Sequence, residues 1–463
     1  MRGIISVAGY VPHWRLQRSA ITAALGSNAG KGARSVASFD EDATTMAVAA
    51  ARRAIGLAPN AVTSALWFST TSPTYMEKTS ATIVHAALRL GDDVIAADAA
   101  SSLRGTSGAL RSALRSTEAA VLVGESTDSA PVIAELVTVA SATREFLDRW
   151  RAPGDLRTHS WEDRFGEQRY AALAASSFDA ALKDAGLDPE QLSTVAISTP
   201  RSRAGAALSK KLGAAGVKVA DALADNVGFT GAAHPGLLLA SMLDSAEPGQ
   251  LIAVLALADG ADTFIFRVTD AITAYRSSDR YLSVADQVAA GNDSLPYAKY
   301  LSWRGVMPLQ PPNRPEPARM SASAAERRLD WKYGFVGSKD QSSGALHLPP
   351  ARVSFVGGAV DEMDAAPMAD IPATVATFTI DSLAYSPSPP IVFAVCDFEG
   401  GGRLPIELTD VSPTDVAIGM EVELTFRRLS TSDDIANYFW KARPRTGVGA
   451  IDTAGASGET SGS

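Results

Sequence analysis

Cys396 is the only thiol in the chain, and only five histidines accompany it. A reactive thiol needs an exposed thiolate beside a cation or a helix N-terminus. Cys396 instead interrupts the apolar run Ile391–Phe398, which makes it a buried space-filler rather than a redox group. His234 stands before Pro235 at the start of a helical stretch, so it is either a first-turn residue with a satisfied ring or a general base. His85, inside the helix expected over Ser80–Leu90, is the lesser candidate. The pair Ser101-Ser102 precedes a helix expected over Thr106–Ser116 and suits a helix cap; a hydroxyl there becomes a nucleophile only if a base takes its proton. The run Gly400-Gly401-Gly402 joins two β-rich segments rather than a strand and a helix, so it is a hairpin turn and not a phosphate loop.

To about residue 285 short β-rich runs alternate with Ala-rich amphipathic stretches, the pattern of an α/β domain. Strands are expected at Gly3–Ala8, Ala65–Ser69, Val94–Ala97, Ala120–Gly124, Thr194–Ser198, Leu251–Leu257 and Phe264–Val268. Helices fall between them, at Ala43–Ile55, Ser80–Leu90, Thr106–Ser116, Arg169–Ala185 and Pro235–Ser245. Residues 286–330 read as a Pro-rich linker, densest in proline from Met307 to Arg319. Beyond it, Ala373–Ile380, Ile391–Phe398, Glu421–Arg428 and Ala436–Lys441 alternate as the strands of a small barrel or sandwich. Residues 447–463 have almost nothing to bury and are expected to be a disordered tail.

With 463 residues the chain has room for several domains, and 46% hydrophobic residues can fill their cores. A net charge of -9 argues against tracking a nucleic-acid backbone. The single cysteine excludes a disulfide framework and points to a reducing compartment. No apolar run approaches the roughly 18 residues of a membrane span, and no leader is visible, so the expectation is a cytoplasmic protein with no membrane partner.

Several segments together resemble a known arrangement. Gly3-Ile4-Ile5-Ser6-Val7-Ala8-Gly9-Tyr10-Val11-Pro12, followed by Asp40-Glu41-Asp42-Ala43-Thr44-Thr45-Met46-Ala47, resembles the opening of the archaeal-type 3-hydroxy-3-methylglutaryl-CoA synthases of the thiolase and ketoacyl synthase superfamily. Pro389-Pro390-Ile391-Val392-Phe393-Ala394-Val395, Asp397 to Arg403, Glu407 to Val411 and Asn437 to Pro444 are similar to the OB-fold family that accompanies such synthases. Trp331 to Ser338 and His347-Leu348-Pro349-Pro350 look like the zinc ribbon preceding that OB fold. The resemblance implies an α/β thiolase-like fold of two pseudo-repeated halves, 1–165 and 166–285, then a ribbon at 331–366 and an all-β OB-like barrel at 367–446. It also implies C–C bond formation or acyl transfer on a coenzyme A thioester.

Carried over residue by residue, the family's cysteine nucleophile falls on Ser102, its glutamate acid/base on Thr71, its histidine on Ser198 and its asparagine at or beside Phe229. His234 is then the candidate base, and the amides of Phe229-Thr230-Gly231 the oxyanion donors. Arg201 and Arg203 sit where the family places a cation near the coenzyme, and Lys210 follows on the next helix as a further coenzyme candidate; a solvated helix start and face explains them at least as well. The four zinc positions carry Asp340, Ser343, Ser354 and Gly357, which cannot make a tetrahedral Cys/His site, so a metal-free ribbon is expected. After Gly124 the chain is shorter than the family pattern, with Glu125–Ser129 running almost directly into Ala130–Val139. Two functions remain open. One is an enzyme acting on an acyl-CoA or acyl-carrier-protein thioester with no tightly bound cofactor. The other is a catalytically inactive partner or scaffold subunit of a synthase complex. Either is expected as a homodimer or as a heterodimer with a related synthase.

Overall fold

The computed structural model describes residues 1–99, 101–115, 122–155, 157–310 and 314–445. The expected tail at 447–463 lies outside the described residues. Leu251–Leu257 is buried at every position, as a strand covered on both faces must be. It pairs parallel with Thr194–Ser198 and antiparallel with Ala261–Val268. Ala134–Ala142 continues that sheet, and Arg2–Ser6 then joins Ala134–Ala142 to Leu122–Glu125. The helices Asp163–Ala185 and Ser202–Ala214 cover one face through Tyr170, Phe178 and Leu208 against Leu255. Gly105–Arg115 and His234–Leu243 cover the other, with Leu114, Leu238 and Met242 against Val254 and Phe264.

The two halves are unequal. Ala65–Phe68 and Ile95–Asp98 form a separate parallel pair outside the six-stranded sheet. The connection after Leu122–Glu125 is residues 126–133, which lead into Ala134–Ala142, a strand paired with both Arg2–Ser6 and Ala261–Val268. The segment expected as a linker, 286–330, holds the helices Tyr297–Trp303 and Ala322–Glu326, and Leu329–Lys332 begins at its end. Two of these helices anchor aromatic rings: Trp303 lies edge-on to Trp14, and Trp331 stacks on Phe335.

Leu346–His347, Val336–Asp340 and Met363–Pro367 make a three-stranded ribbon. Ala373–Asp381, Ile391–Phe398, Arg403–Leu408, Ile435–Pro444 and Glu421–Ser432 close a barrel in that spatial order. Gly400, Gly401 and Gly402 all have positive φ in the turn between its second and third strands, which only glycine adopts without strain. The barrel does not hang free. Its Phe426 and Trp440 share one apolar core with Phe335 of the ribbon and with Val48, Phe68 and Val84 of the α/β domain.

Charges cross the same joint. Asp42 caps the helix Ala43–Leu57, accepting the Thr45 N–H at 3.0 Å while Thr45 Oγ1 accepts the Asp42 N–H at 2.9 Å. Its neighbours turn toward the barrel. Arg427, fully buried, contacts Asp40 at 3.2 Å, Glu41 at 2.9 Å and Asp410. Lys441 bridges Asp40 at 3.0 Å and Glu407 at 2.5 Å. The Asp40-Glu41-Asp42 run is therefore a capping and docking element.

Candidate active site

The helix Gly105–Arg115 begins in a tight corner. Ser101 has φ 72° and donates its N–H to the Thr70 carbonyl at 2.9 Å, which locks the corner to the Ala65–Phe68 strand end. Gly105 is required there, because a Cβ would stand 2.3 Å from the Ala99 carbonyl oxygen. This geometry presents Ser102, partly exposed, at the helix start. Its Oγ accepts the Arg104 N–H at 3.0 Å and donates to Asp259 Oδ2 at 3.4 Å.

Asp259 lies in the turn joining Leu251–Leu257 to Ala261–Val268, with φ 50°. Burial pushes its carboxyl above the usual range, partly opposed by the Ser102 hydrogen bond. Arg104 organises this corner. It grips Asp262 in a fork, Nε to Oδ2 at 2.8 Å and Nη2 to Oδ1 at 3.0 Å, and that hydrogen bonding holds the guanidinium above its ordinary pKa. Nη1 donates to Thr143 Oγ1 at 2.8 Å and to the Asp259 carbonyl at 3.2 Å. Gly260 leaves the room: a Cβ would lie 2.3 Å from that nitrogen.

Leu103, Arg104, Ser107, Ser198, Phe229 and Gly231 meet around a cavity of about 10 Å³, room for roughly one water. Ser198 is buried at the end of its strand, and Thr71 Oγ1 lies 3.9 Å from where a Cβ on Gly231 would stand. Four of the expected positions, at 71, 102, 198 and 229, thus converge on one corner.

The hydrogen bonds of His234, expected as the base, run to Thr230 and Ala222 rather than to Ser102. Nδ1 accepts the Thr230 N–H at 3.4 Å and lies 3.2 Å from its hydroxyl, while the ring also hydrogen-bonds the Ala222 backbone. Burial pushes the imidazole down to about 4, and its ring centroid stands 4.9 Å from that of Phe229. His85 Nε2 pairs with the Gly91 carbonyl at 3.0 Å. Asp259 is the residue that sequence reasoning missed; its only signal was the turn-forming Ala258-Asp259-Gly260 between two apolar runs.

Arg201, expected near the coenzyme, is buried in an ion pair. Its Nε donates to Asp148 Oδ2 at 3.0 Å and its Nη2 to the Asp148 carbonyl at 2.6 Å. Arg203 and Lys210 stay exposed on the next helix. At the ribbon knuckles, hydrogen bonds from Ser354, Ser343 and the Ser342 N–H hold the Asp340 carboxyl well below the usual range. His347 packs its ring 4.6 Å from that of Phe355. One carboxylate, hydroxyls and a glycine do not fit a structural zinc.

Residues 366–427 match the family model of the ChsH2 C-terminal OB-fold domain. The hydroxymethylglutaryl-CoA synthase of Archaeoglobus fulgidus is 30% identical over 350 residues, covering 66% of this chain and 98% of that protein. The synthase of Pyrobaculum aerophilum is 26% identical over 347 residues, covering 66% and 98%. An alignment of 350 positions over 66% of 463 residues means that the Archaeoglobus protein has segments this chain lacks. Among solved structures, the HMG synthase of curacin biosynthesis with its apo donor-ACP superposes with TM-score 0.56 at 15% identity, covering 66% of this chain and 88% of that one. MvaS in complex with 3-hydroxy-3-methylglutaryl coenzyme A gives 0.53 at 17%, covering 65% and 91%. No helix among the described residues is long and apolar enough to cross a membrane. By the Archaeoglobus match, with the fold and the barrel in agreement, this chain belongs to the hydroxymethylglutaryl-CoA synthase family of acyl-CoA condensing enzymes and carries a ChsH2-type OB-fold domain.

Proposed function

We propose that the chain transfers an acyl group from a coenzyme A or acyl-carrier-protein thioester through Ser102, with Asp259 in place of a histidine base. The observation that carries this reading is the Ser102 Oγ at a helix start, hydrogen-bonded to a carboxylate whose burial raises its proton affinity. Ser102 Oγ attacks the thioester carbonyl as its proton passes to Asp259. The C–S bond breaks, an ester forms on Ser102, and the departing thiolate takes the proton from Asp259. A nearby cation makes a carboxylate a poorer base, so Arg104 works on position: it holds the Asp259 backbone while its charge is neutralised by Asp262. Of the three amides expected to donate to the oxyanion, the Thr230 N–H is committed to His234, which leaves those of Phe229 and Gly231. The cavity has no room for an acyl chain, so Phe229 and Leu103 must swing aside to admit one.

Incubation with acetyl-CoA, acetoacetyl-CoA and longer acyl-CoAs should release free thiol and add one acyl mass to the Ser102 peptide. Ser102→Ala should abolish both. Ser102→Cys should acylate with less help from a base. The small cavity and the substituted positions 71, 198 and 229 favour a second reading, an inactive subunit that completes a synthase complex. That reading holds if neither wild type nor Ser102→Cys reacts with any of these thioesters while the chain co-purifies with a Cys-bearing synthase.

A further inference from the structure

A groove of about 230 Å³, sharing no lining residue with the cavity beside Ser102, opens where the short helices Ala322–Glu326 and Leu329–Lys332 lie against the barrel strand Ile435–Pro444. Its walls are Met320, Ala324, Trp331 and Phe439. Trp331 is held rigid, stacked on the buried Phe335 at 4.9 Å and tilted against Phe439 at 5.5 Å. The charged residues lining the groove are Arg328 and Lys332, both basic.

Lys332 is the unusual member. Its Nζ donates to Asn437 Oδ1 at 2.5 Å and to the Tyr438 carbonyl at 2.6 Å, and the Tyr333 ring lies 5.4 Å away. No carboxylate pairs with it among the described residues, and burial lowers its ammonium to about 8. Arg328 likewise has no carboxylate partner among the described residues. A half-buried cation without a counter-ion is costly, and an anion seated beside it would remove that cost. On the measure by which about 10 Å³ holds one water at the Ser102 corner, this groove has room for on the order of fifteen, enough for a six-carbon chain with a carboxylate.

We propose that this groove binds a short amphiphilic carboxylate, its alkyl chain against Trp331, Phe439 and Met320 and its carboxylate between Lys332 and Arg328. The occupant follows from charge complementarity, because an apolar slot rimmed by two cations selects an anion with an apolar tail. The proposal is independent of chemistry at Ser102. Titration of the full chain with hexanoate, followed by calorimetry at pH 7, should show saturable one-to-one binding. Hexanol should bind at least about tenfold more weakly. Arg328→Glu, at an exposed position, should weaken hexanoate by a similar factor, and Ala324→Trp should fill the slot and abolish binding. Lys332→Met should weaken hexanoate and remove the loss of affinity that wild type shows as pH rises through about 8, where the ammonium loses its proton. Unchanged circular dichroism certifies that each variant is folded. Hexanol binding as tightly as hexanoate, or hexanoate binding unchanged in Ala324→Trp, overturns the assignment, as does the absence of hexanoate binding to wild type.

Discussion

The corner around Ser102 and the joint around Arg427 both assemble acids, bases and hydroxyls brought together from distant parts of the chain, yet they treat them differently. At the joint Arg427, Lys441, Asp40 and Glu41 are buried, and each charge meets at least one opposite charge. At the corner Ser102 is partly exposed and its bond to Asp259 is long at 3.4 Å, while Arg104 and Asp262 form a tight pair. A joint gains specificity when every buried charge is matched. A site that must exchange a proton needs one group whose partner can let go. If this contrast is real, substitutions at the corner should change rates with little effect on folding, and substitutions at the joint should do the reverse.

The largest effect is expected at the corner. Asp259→Asn removes the base but keeps the shape, so it should slow acyl release from coenzyme A by about 100- to 10,000-fold. The thermal midpoint should stay near that of wild type. Activity retained at the wild-type level would return Asp259 to a structural role and weaken the contrast. Next comes the joint. Arg427→Met leaves Asp40, Glu41 and Asp410 without their shared cation and should cost about 3–5 kcal/mol in urea denaturation. A loss below about 1 kcal/mol, as for an exposed pair, would show that the joint is not held this way.

His234 offers a third test, between the two regions. Its folded pKa of about 4 lies below the ordinary 6.5, so below pH 6.5 the unfolded chain binds more protons than the folded one. The stability due to neutral His234 is therefore complete above about pH 6.5 and is lost as pH falls toward 4, roughly 3 kcal/mol in all. His234→Leu should lack that acid slope. A wild-type imidazole that protonates near pH 6.5 by NMR would contradict the burial and reopen its candidacy as a base.

The contrast also shows what could be read from the chain. Thr194–Ser198 and Leu251–Leu257 were legible to the residue, because a fully covered strand is a continuous apolar run. Arg403–Leu408 was expected only as the β-rich segment after the Gly400–Gly402 hairpin, without bounds, although Leu404, Ile406 and Leu408 alternate inward, because Pro405 reads as a breaker until its partner strand is known. Trp14–Gln17 and Ala33–Val36 pair across a helix, which no local pattern announces. The resemblance placed Ser102, Ser198 and Phe229 in one site, and Ser198 and Phe229 line one cavity with Leu103 and Arg104, the neighbours of Ser102. The partner of Ser102 was not legible, since Asp259 is 157 residues away and marked only by a turn. The pairings of Arg201 and His234 were illegible for the same reason: sequence shows a charge or a ring, but not that Asp148 or Thr230 hydrogen-bonds it.

The smallest effect distinguishes the two kinds of buried acid within the joint. Burial raises the pKa of Glu407, and Asp40 adds to that rise, while Lys441 only partly offsets it; Asp40 itself is held low by Lys441 and Arg427 against the cost of its burial. A carboxyl raised in the folded state binds more protons there than in the unfolded chain. Its contribution therefore favours folding less as pH rises through the window above its ordinary pKa. For Asp40 the sign is opposite, with stability present above its unfolded value and lost in stronger acid. Glu407→Gln removes only the first of these, so its stability relative to wild type should improve as pH rises from 4.5, while the loss in stronger acid persists. Parallel stability curves for the two proteins across that window would mean that Lys441 fully compensates Glu407. The joint would then be a set of neutral pairs, without the internal tension that now sets it apart from the corner.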